Sequence, residues 1–167
     1  MDIFVEQIVK KVPDAKDKVK KAALIIGTVV LSGLLLVFLI GFFPFNIVLL
    51  FGVVYGCYYL FTSIDCEYEY IITNGDLDVD KIIAKRKRKR LISVKISTFE
   101  DFGKYNAATK PADGFTTVLA GENSGNGDYY ADFKHPTLGN VRLIFTPNEK
   151  TINGMKPYFS RIILTKI

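Results

Sequence analysis

Hydrophobic and polar positions fall into three regimes along the chain. Residues 22–64 contain no Asp, Glu, Lys or Arg and are interrupted once, at Pro44-Phe45-Asn46. Before them, apolar residues recur near helical spacing; after them, apolar and polar residues alternate at period two. A helix rises about 1.5 Å per residue and the hydrocarbon core is about 30 Å thick, so roughly 20 apolar residues span it. Residues 22–43 fit that length and residues 47–64 are slightly shorter. Neither segment has the polar face that a helix keeps in a soluble protein. The pattern predicts a transmembrane helical hairpin over 22–64, with spans at 22–43 and 47–64 and a turn at 44–46. A cleaved signal peptide does not fit, because the apolar run starts late and continues into a second apolar segment.

Residues 1–21 read as a cytoplasmic basic amphipathic segment. Ile3, Phe4, Ile8 and Val12 approximate helical spacing, opposed by Glu6, Gln7, Lys10 and Lys11. Pro13 breaks the pattern, and a short charged helix over 14–21 leads into the bilayer. Two uses are open: an anchor lying on the inner leaflet, or a determinant of topology. Lys10, Lys11, Lys16, Lys18, Lys20 and Lys21 precede the first span, a run of cations follows the second, and the connection is uncharged. By the positive-inside rule both termini are cytoplasmic, which makes this a multi-pass protein of the cell membrane. Tyr55, Tyr58 and Tyr59 suit interfacial anchoring or helix packing. Gly52 and Gly56 form a GxxxG match, which serves either the protein's own hairpin or a homo-oligomer.

Residues 65–167 are expected to form one cytoplasmic β-rich domain. Alternation on both sides of Asn74-Gly75 is a strong hairpin signal, because a type I′ turn needs positive φ at both central positions. A two-residue loop fixes the register: Thr73 faces Asp76, Ile72 faces Leu77, Tyr70 faces Val79, and Glu69 faces Asp80. One face then carries Cys66, Tyr68, Tyr70, Ile72, Leu77, Val79 and Ile83; the other carries Glu67, Glu69, Asp76, Asp78 and Asp80. Carboxylates directly opposite one another need an offset. The nearby cations or Lys95 can supply it, or a cation such as calcium, which normally takes its oxygens from a loop able to wrap it. A third strand is expected over 90–97 and a helical or irregular link over 99–105. A polar turn follows at 110–114, with strands over 115–120, 128–133 and 140–146. The loop at 121–127 lacks phosphate-loop spacing. A terminal helix starts at Pro147-Asn148, weakened by Gly154 and Pro157.

A two-span hairpin followed at once by Glu-Tyr-Glu-Tyr-Ile-Ile-Thr-Asn-Gly-Asp-Leu-Asp-Val-Asp-Lys-Ile-Ile and a Lys/Arg block resembles an uncharacterised family of small membrane proteins from Gram-positive Firmicutes. It is also similar to bacterial membrane proteins with a pleckstrin-homology-like domain. The resemblance covers nearly the whole chain and is strongest over residues 67–94. It implies a half-open barrel of about seven strands closed by a C-terminal helix, where the pattern itself gives six strands. It brings no activity, ligand or site residue with it.

The formal net charge is +5. Its densest cluster is Lys85, Arg86, Lys87, Arg88, Lys89 and Arg90, expected at the tip between the second and third strands. These six are the candidate lipid or partner contact. Juxtamembrane clusters of this size bind anionic lipid at about 1 kcal/mol per residue; the alternative is that they only fix topology and neutralise the acidic face. Nucleic acid is disfavoured, since no stacking aromatics interleave the run. Catalysis has little material. His135 is the only histidine and precedes Pro136, and Cys57 and Cys66 match no zinc or redox spacing. No catalytic residue, metal site or cofactor is expected. The sequence reads as a non-enzymatic membrane-anchored interaction module for protein or anionic lipid, with an accessory subunit of a larger membrane complex as the alternative and an enzyme on a membrane-associated substrate ranked behind both. An intramembrane transport path is disfavoured by the lack of charge in the spans.

Overall fold

The computed structural model describes residues 3–38, 45–106, 114–122 and 127–165. The chain divides into two units, Pro13–Asp65 and the discontinuous pair Met1–Val12 with Cys66–Ile167.

The first unit holds two helices, α1 (Ala15–Phe38) and α2 (Phe45–Ser63). Over Ala15–Val37, α1 is long and apolar enough to cross a membrane, whereas the apolar stretch of α2, Ile47–Ser63, is shorter. The charged lead-in and the apolar run are thus one continuous helix. Residues 39–44, which include the end of the expected first span, Gly41 and Pro44, lie outside the described residues. Phe45 and Asn46, expected in the turn, belong to α2. Lys21 Nζ lies 2.6 Å from Asp65 Oδ1, and the Cys57 thiol donates to the Leu24 carbonyl at 3.5 Å. The start of α1 therefore lies beside the end of α2, and the two helices run antiparallel.

The second unit contains eight described strands in two sheets. One has the order β1 (Phe4–Lys10), β2 (Cys66–Thr73), β3 (Asp76–Ile83), β4 (Lys87–Lys95). The other pairs β5 (Phe99–Lys104), β7 (Tyr129–His135), β8 (Gly139–Phe145) and β6 (Thr116–Leu119), in that spatial order, with β6 parallel to β8. Between β4 and β5 a 3₁₀ turn over Ile96–Thr98 buries Ile96. The core lies between the sheets: Val5, Val9, Tyr70, Ile72, Leu77, Val79 and Ile92 on one side, Phe102, Phe133, Val141, Leu143 and Phe145 on the other.

The first strand corrects the helical reading of the N-terminal segment. Phe4–Lys10 pairs antiparallel with β2 along its whole length, Phe4 opposite Thr73 and Lys10 opposite Glu67. Its inward positions are Val5, Gln7 and Val9, so the period is two. The pattern was obscured because Gln7 is inward but polar, while the outward Phe4 and Ile8 are 63% and 54% exposed. Gln7 is tolerated inward because both ends of its amide are hydrogen-bonded. Nε2 donates to the Thr146 carbonyl at 2.9 Å, and Oε1 accepts from Asn148 N–H at 2.9 Å and Thr151 Oγ1 at 2.6 Å. The apolar helices are thus inserted between the first two strands of one sheet, and the β domain is not confined to residues 65–167.

A second correction concerns residues 99–105, which form β5. Phe99 and Phe102, three apart, share the buried face because the register shifts between Phe99 and Asp101. That extra residue mimics helical spacing. Phe99 stacks on Phe133 at 5.4 Å between ring centroids, and Phe102 lies 4.9 Å from Phe159.

The expected C-terminal helix is in three pieces: α3 (Glu149–Met155), a 3₁₀ turn (Lys156–Tyr158) containing Pro157, and α4 (Arg161–Leu164). Asn148 caps α3, its side chain accepting from Thr151 N–H at 2.8 Å. Met155, Phe159 and Ile163 seal the core. Gly154 lets α3 approach β1, since a Cβ there would sit 2.9 Å from Val5 Cγ2. Tyr70 joins the sheets: its hydroxyl donates to the Ala120 carbonyl at 2.5 Å and accepts from Thr146 N–H at 3.1 Å. Residues 110–113 of the expected polar turn and 123–126 of the glycine-rich loop lie outside the described residues.

Candidate contact surface on the basic hairpin

The register expected around Asn74-Gly75 is the observed one: Thr73 opposite Asp76, Ile72 opposite Leu77, Tyr70 opposite Val79, Glu69 opposite Asp80. Asn74 and Gly75 have φ of 49° and 95°, as a type I′ turn requires. The next turn, between β3 and β4, has the same sense without the same residues. Ala84 and Lys85 both have φ of 55°, and Arg86 N–H closes the turn on the Ile83 carbonyl at 3.0 Å. Left-handed backbone costs an L-residue with a Cβ roughly 1–2 kcal/mol.

Only Lys85 and Arg86 of the basic run lie in this turn, which corrects their expected placement together at the tip. Lys87, Arg88, Lys89 and Arg90 are the first residues of β4. The strand is also bulged. Val79 pairs with Ile92 but Asp80 pairs with Arg90, so Leu91 is the extra residue and the two faces exchange beyond it. Arg88 and Arg90 therefore lie on the acidic face, opposite Ile82 and Asp80. Without the bulge Lys87 and Lys89 would lie there.

On that face the arginines offset the carboxylates. Arg90 lies 2.8 Å from Asp78 Oδ2, and its Nε donates to Asp80 Oδ1 at 2.5 Å. Arg88 Nη2 lies 2.8 Å from Glu69 Oε2, and Nη1 reaches Asp80 Oδ2 at 4.0 Å. Glu69 and Asp80 are each only 2% exposed. Burial pushes the Glu69 carboxyl above the usual range, Arg88 opposes the shift, and Glu6 and Asp80 add to it. The acidic face is ion-paired, and among the described residues no group of three or more His, Cys, Asp or Glu is placed to hold a metal ion.

The lysines go elsewhere. Lys81 pairs with Tyr68 on one side and Lys89 on the other, on the face that carries Val79; Lys87 pairs with Ile83 on the same face. Lys85, Lys87 and Lys89 are exposed, Lys81 is half-buried, and none of the four forms an ion pair among the described residues. Lys81 was missed by the sequence reading, because its alignment with Lys89 depends on the bulge. The place of the hairpin in the sheet matters too. Ile83 pairs with Cys66, Lys10 pairs with Glu67, and Lys11 N–H bonds the Cys66 carbonyl at 3.0 Å. The basic turn is therefore on the sheet edge where the chain departs at Val12 and returns at Cys66.

The other sheet holds a polar cluster with no sequence signature. Arg142 grips Asp132 across the β7–β8 pair, Nε to Oδ1 at 2.7 Å and Nη2 to Oδ2 at 2.6 Å, both residues buried. The guanidinium lies 4.7 Å from the Tyr130 ring centroid, and the Tyr130 hydroxyl donates to Asp101 at 2.8 Å. His135 ends β7 and braces the following turn through Nδ1, which accepts from Thr137 N–H at 3.3 Å. Cys57 and Cys66 are free thiols.

A sheet meander and a second sheet, closed at the C-terminus by short helices, is the arrangement of a pleckstrin-homology-like fold. Residues 1–165 match the family described as Bacterial PH-like domain (DUF6106). The chain belongs to that family. No curated protein and no solved structure matches the chain. The family match begins at residue 1, so it includes β1 as well as the strands beyond the apolar helices. A PH-like domain suggests a module for lipid or protein interaction, and α1 is a possible membrane anchor for it.

Proposed function

We propose that this PH-like domain is a non-enzymatic interaction module, held at the inner face of the cell membrane by two crossings, whose basic hairpin docks anionic lipid. The observation that carries the reading is the pairing of β1 with β2 on either side of the apolar helices. Strands hydrogen-bonded in one sheet are on one side of any bilayer, so the chain between them crosses an even number of times. A single crossing by α1 would separate β1 from β2. The apolar stretch of α2, Ile47–Ser63, is near the lower end of the roughly 17–25 residues that cross a bilayer. The lysines before and at the start of α1, the cations that follow α2 and the uncharged connection between the helices favour a cytoplasmic domain. Two residues separate Val12 from α1 and two separate α2 from Cys66, so the domain stays tethered at the inner leaflet. There each lysine contributes about 1 kcal/mol to attraction by anionic lipid.

Reporters fused at the two ends of the full chain test this reading. Both are expected to report the cytoplasm. Both reporting the exterior would overturn the orientation, and opposite sides would overturn the double crossing.

A second reading, an accessory subunit of a larger membrane complex, is favoured by one observation. A Cβ at Gly27, Gly33, Gly52 or Gly56 would meet nothing within 4 Å, so these glycines do not serve the α1–α2 contact. Co-purification of a stoichiometric membrane protein in mild detergent, lost on Gly52→Ile with Gly56→Ile, would favour it over lipid docking.

A further inference from the structure

We infer that β1 is a self-association edge: two copies of this chain pair antiparallel through β1, centred on Ile8, and join their four-stranded sheets into one. The inference is independent of lipid docking and requires only that both copies lie on the same side of the bilayer.

An open sheet edge invites pairing with another chain unless charge, a bulge or shortness blunts it. Among the described residues, three of the four edges are blunted in these ways. β4 opens with four consecutive cations and is bulged, β5 is bulged, and β6 is four residues long. β1 is none of these. It has seven residues, no proline and an unbroken register to β2. Asn74 N–H donates to the Ile3 carbonyl and Lys11 N–H to the Cys66 carbonyl, each at 3.0 Å, which sets the phase of the ladder between them. Val5, Gln7 and Val9 therefore turn their backbone groups toward β2, and Phe4, Glu6, Ile8 and Lys10 turn theirs off the edge. Among the described residues none of those outward groups has a partner. The open stretch ends at Val12, whose N–H donates to the Glu122 carbonyl at 2.7 Å.

The side chains on the outer face of β1 say what pairs there. A new antiparallel strand must set outward-bonding residues against outward-bonding residues, which leaves a few twofold centres. Centring on Glu6 or Lys10 opposes like charges, and centring on Gln7 or Val9 sets charge against apolar residues. Centring on Ile8 places Glu6 opposite Lys10 of the second copy, twice by symmetry, with Ile8 against Ile8 between them. Opposite charges directly across a ladder are favourable. Neither charge is otherwise spent: Glu6 lies against the Glu69 carboxyl, and Lys10 faces Glu67 without closing an ion pair. The pairing also covers Ile8, which is 54% exposed in the single chain. A second copy thus satisfies the edge, the charges and the apolar residue together.

The test uses the full chain in neutral detergent micelles, with Cys57→Ala and Cys66→Ala removing both native thiols. Residues opposed in a hydrogen-bonded pair have Cα atoms about 5.5 Å apart, within reach of a disulfide. Ile8→Cys is expected to give a cross-linked dimer under mild oxidation. Phe4→Cys is equally exposed, but its twin lies eight residues along the ladder, about 27 Å away, so it should stay monomeric. Equal cross-linking of the two would overturn the register. With the native cysteines in place, sedimentation in density-matched micelles reads the charges. Lys10→Glu or Glu6→Lys each strikes two pairs and should weaken dimerisation about tenfold, and both together should restore it. A chain that is monomeric at the highest protein-to-detergent ratio would overturn the inference. So would a dimer indifferent to these reversals, one lost instead on Gly52→Ile with Gly56→Ile, or Ile8→Cys joining a different protein in cells and not itself. Phe4, Glu6, Ile8 and Lys10 are all exposed, so the variants leave the core untouched. A failure of lipid docking leaves each of these outcomes readable.

Discussion

Deleting residues 1–12 should unfold the PH-like domain, although that segment precedes the apolar helices and the rest of the domain follows them. Val5 and Val9 are buried in the core at 7% and 4% exposure. Full burial of such a side chain is worth roughly 1.5–3 kcal/mol, so the pair contributes about 3–6 kcal/mol. Gln7 satisfies the Thr146 carbonyl, Asn148 N–H and Thr151 Oγ1. Losing those three bonds costs about 1 kcal/mol each, more where the orphaned group stays buried. With the ladder to β2 gone as well, the sum approaches the roughly 5–15 kcal/mol that holds a typical domain together. The assay is urea unfolding of residues 66–167 alone, followed by near-ultraviolet circular dichroism. It should be compared with a chain in which Val12 is joined to Cys66 through a short glycine-containing turn. The joined chain is expected to unfold cooperatively, and the truncated one to lack fixed aromatic packing. A truncated domain that melts as cooperatively as the joined one would refute the placement of β1.

Relieving the turn before β4 should stabilise the protein: Lys85→Gly removes a Cβ from left-handed backbone and is expected to add about 1 kcal/mol, read as a higher melting temperature in micelles. Gly75→Ala should do the opposite by at least about 1 kcal/mol, because φ is +95° and the new Cβ would lie 2.7 Å from the Tyr158 ring. The raised Glu69 carboxyl works against folding when ionised, so its contribution improves as pH falls through its folded pKa and is lost as pH rises again. Glu69→Gln should therefore leave stability at neutral pH unchanged or higher and flatten the fall of melting temperature as pH rises above the ordinary carboxylate range; a loss beyond about 2 kcal/mol would contradict this. Asp132→Asn should cost about 3–5 kcal/mol by leaving the Arg142 charge buried without its partner, measured by denaturant unfolding in micelles.

What the sequence disclosed and what it withheld divide along physical lines. The β2–β3 register was legible because Asn-Gly fixes both the turn and the pairing, and alternation on each side agrees with it. The apolar helices were legible from composition alone. The membership of β1 was not, since its partner strand lies beyond both helices and its central inward residue is a glutamine whose three partners lie between β8 and α3 and in α3 itself. In β5 and β4 the obstacle was a bulge. One extra residue made Phe99 and Phe102 look helical, and another sent Arg88 and Arg90 to the acids while turning Lys87 and Lys89 toward Lys81. Of the candidate surface, the six cations could be named in advance, but the pairing of Arg88 and Arg90 with the acidic face, and the placement of Lys87 and Lys89 on the opposite one, could not. The one hint was Leu91-Ile92, two adjacent apolar residues where strict alternation allows one.

The insertion of the helices between β1 and β2 also sets a timetable. Phe4 pairs with Thr73, so during synthesis β1 waits for about 65–70 further residues before its neighbour exists. At about 5–20 residues per second that is several seconds or more with Val5 and Val9 not yet buried and the ladder unmade. During that interval both apolar helices are synthesised and must find their place. The sheet closes only if they leave β1 and β2 in the same compartment. On the proposed two-crossing topology, completion of the domain is thus a built-in check on membrane insertion: a misinserted chain would keep an orphan strand and an open core, the signature that proteolytic surveillance removes.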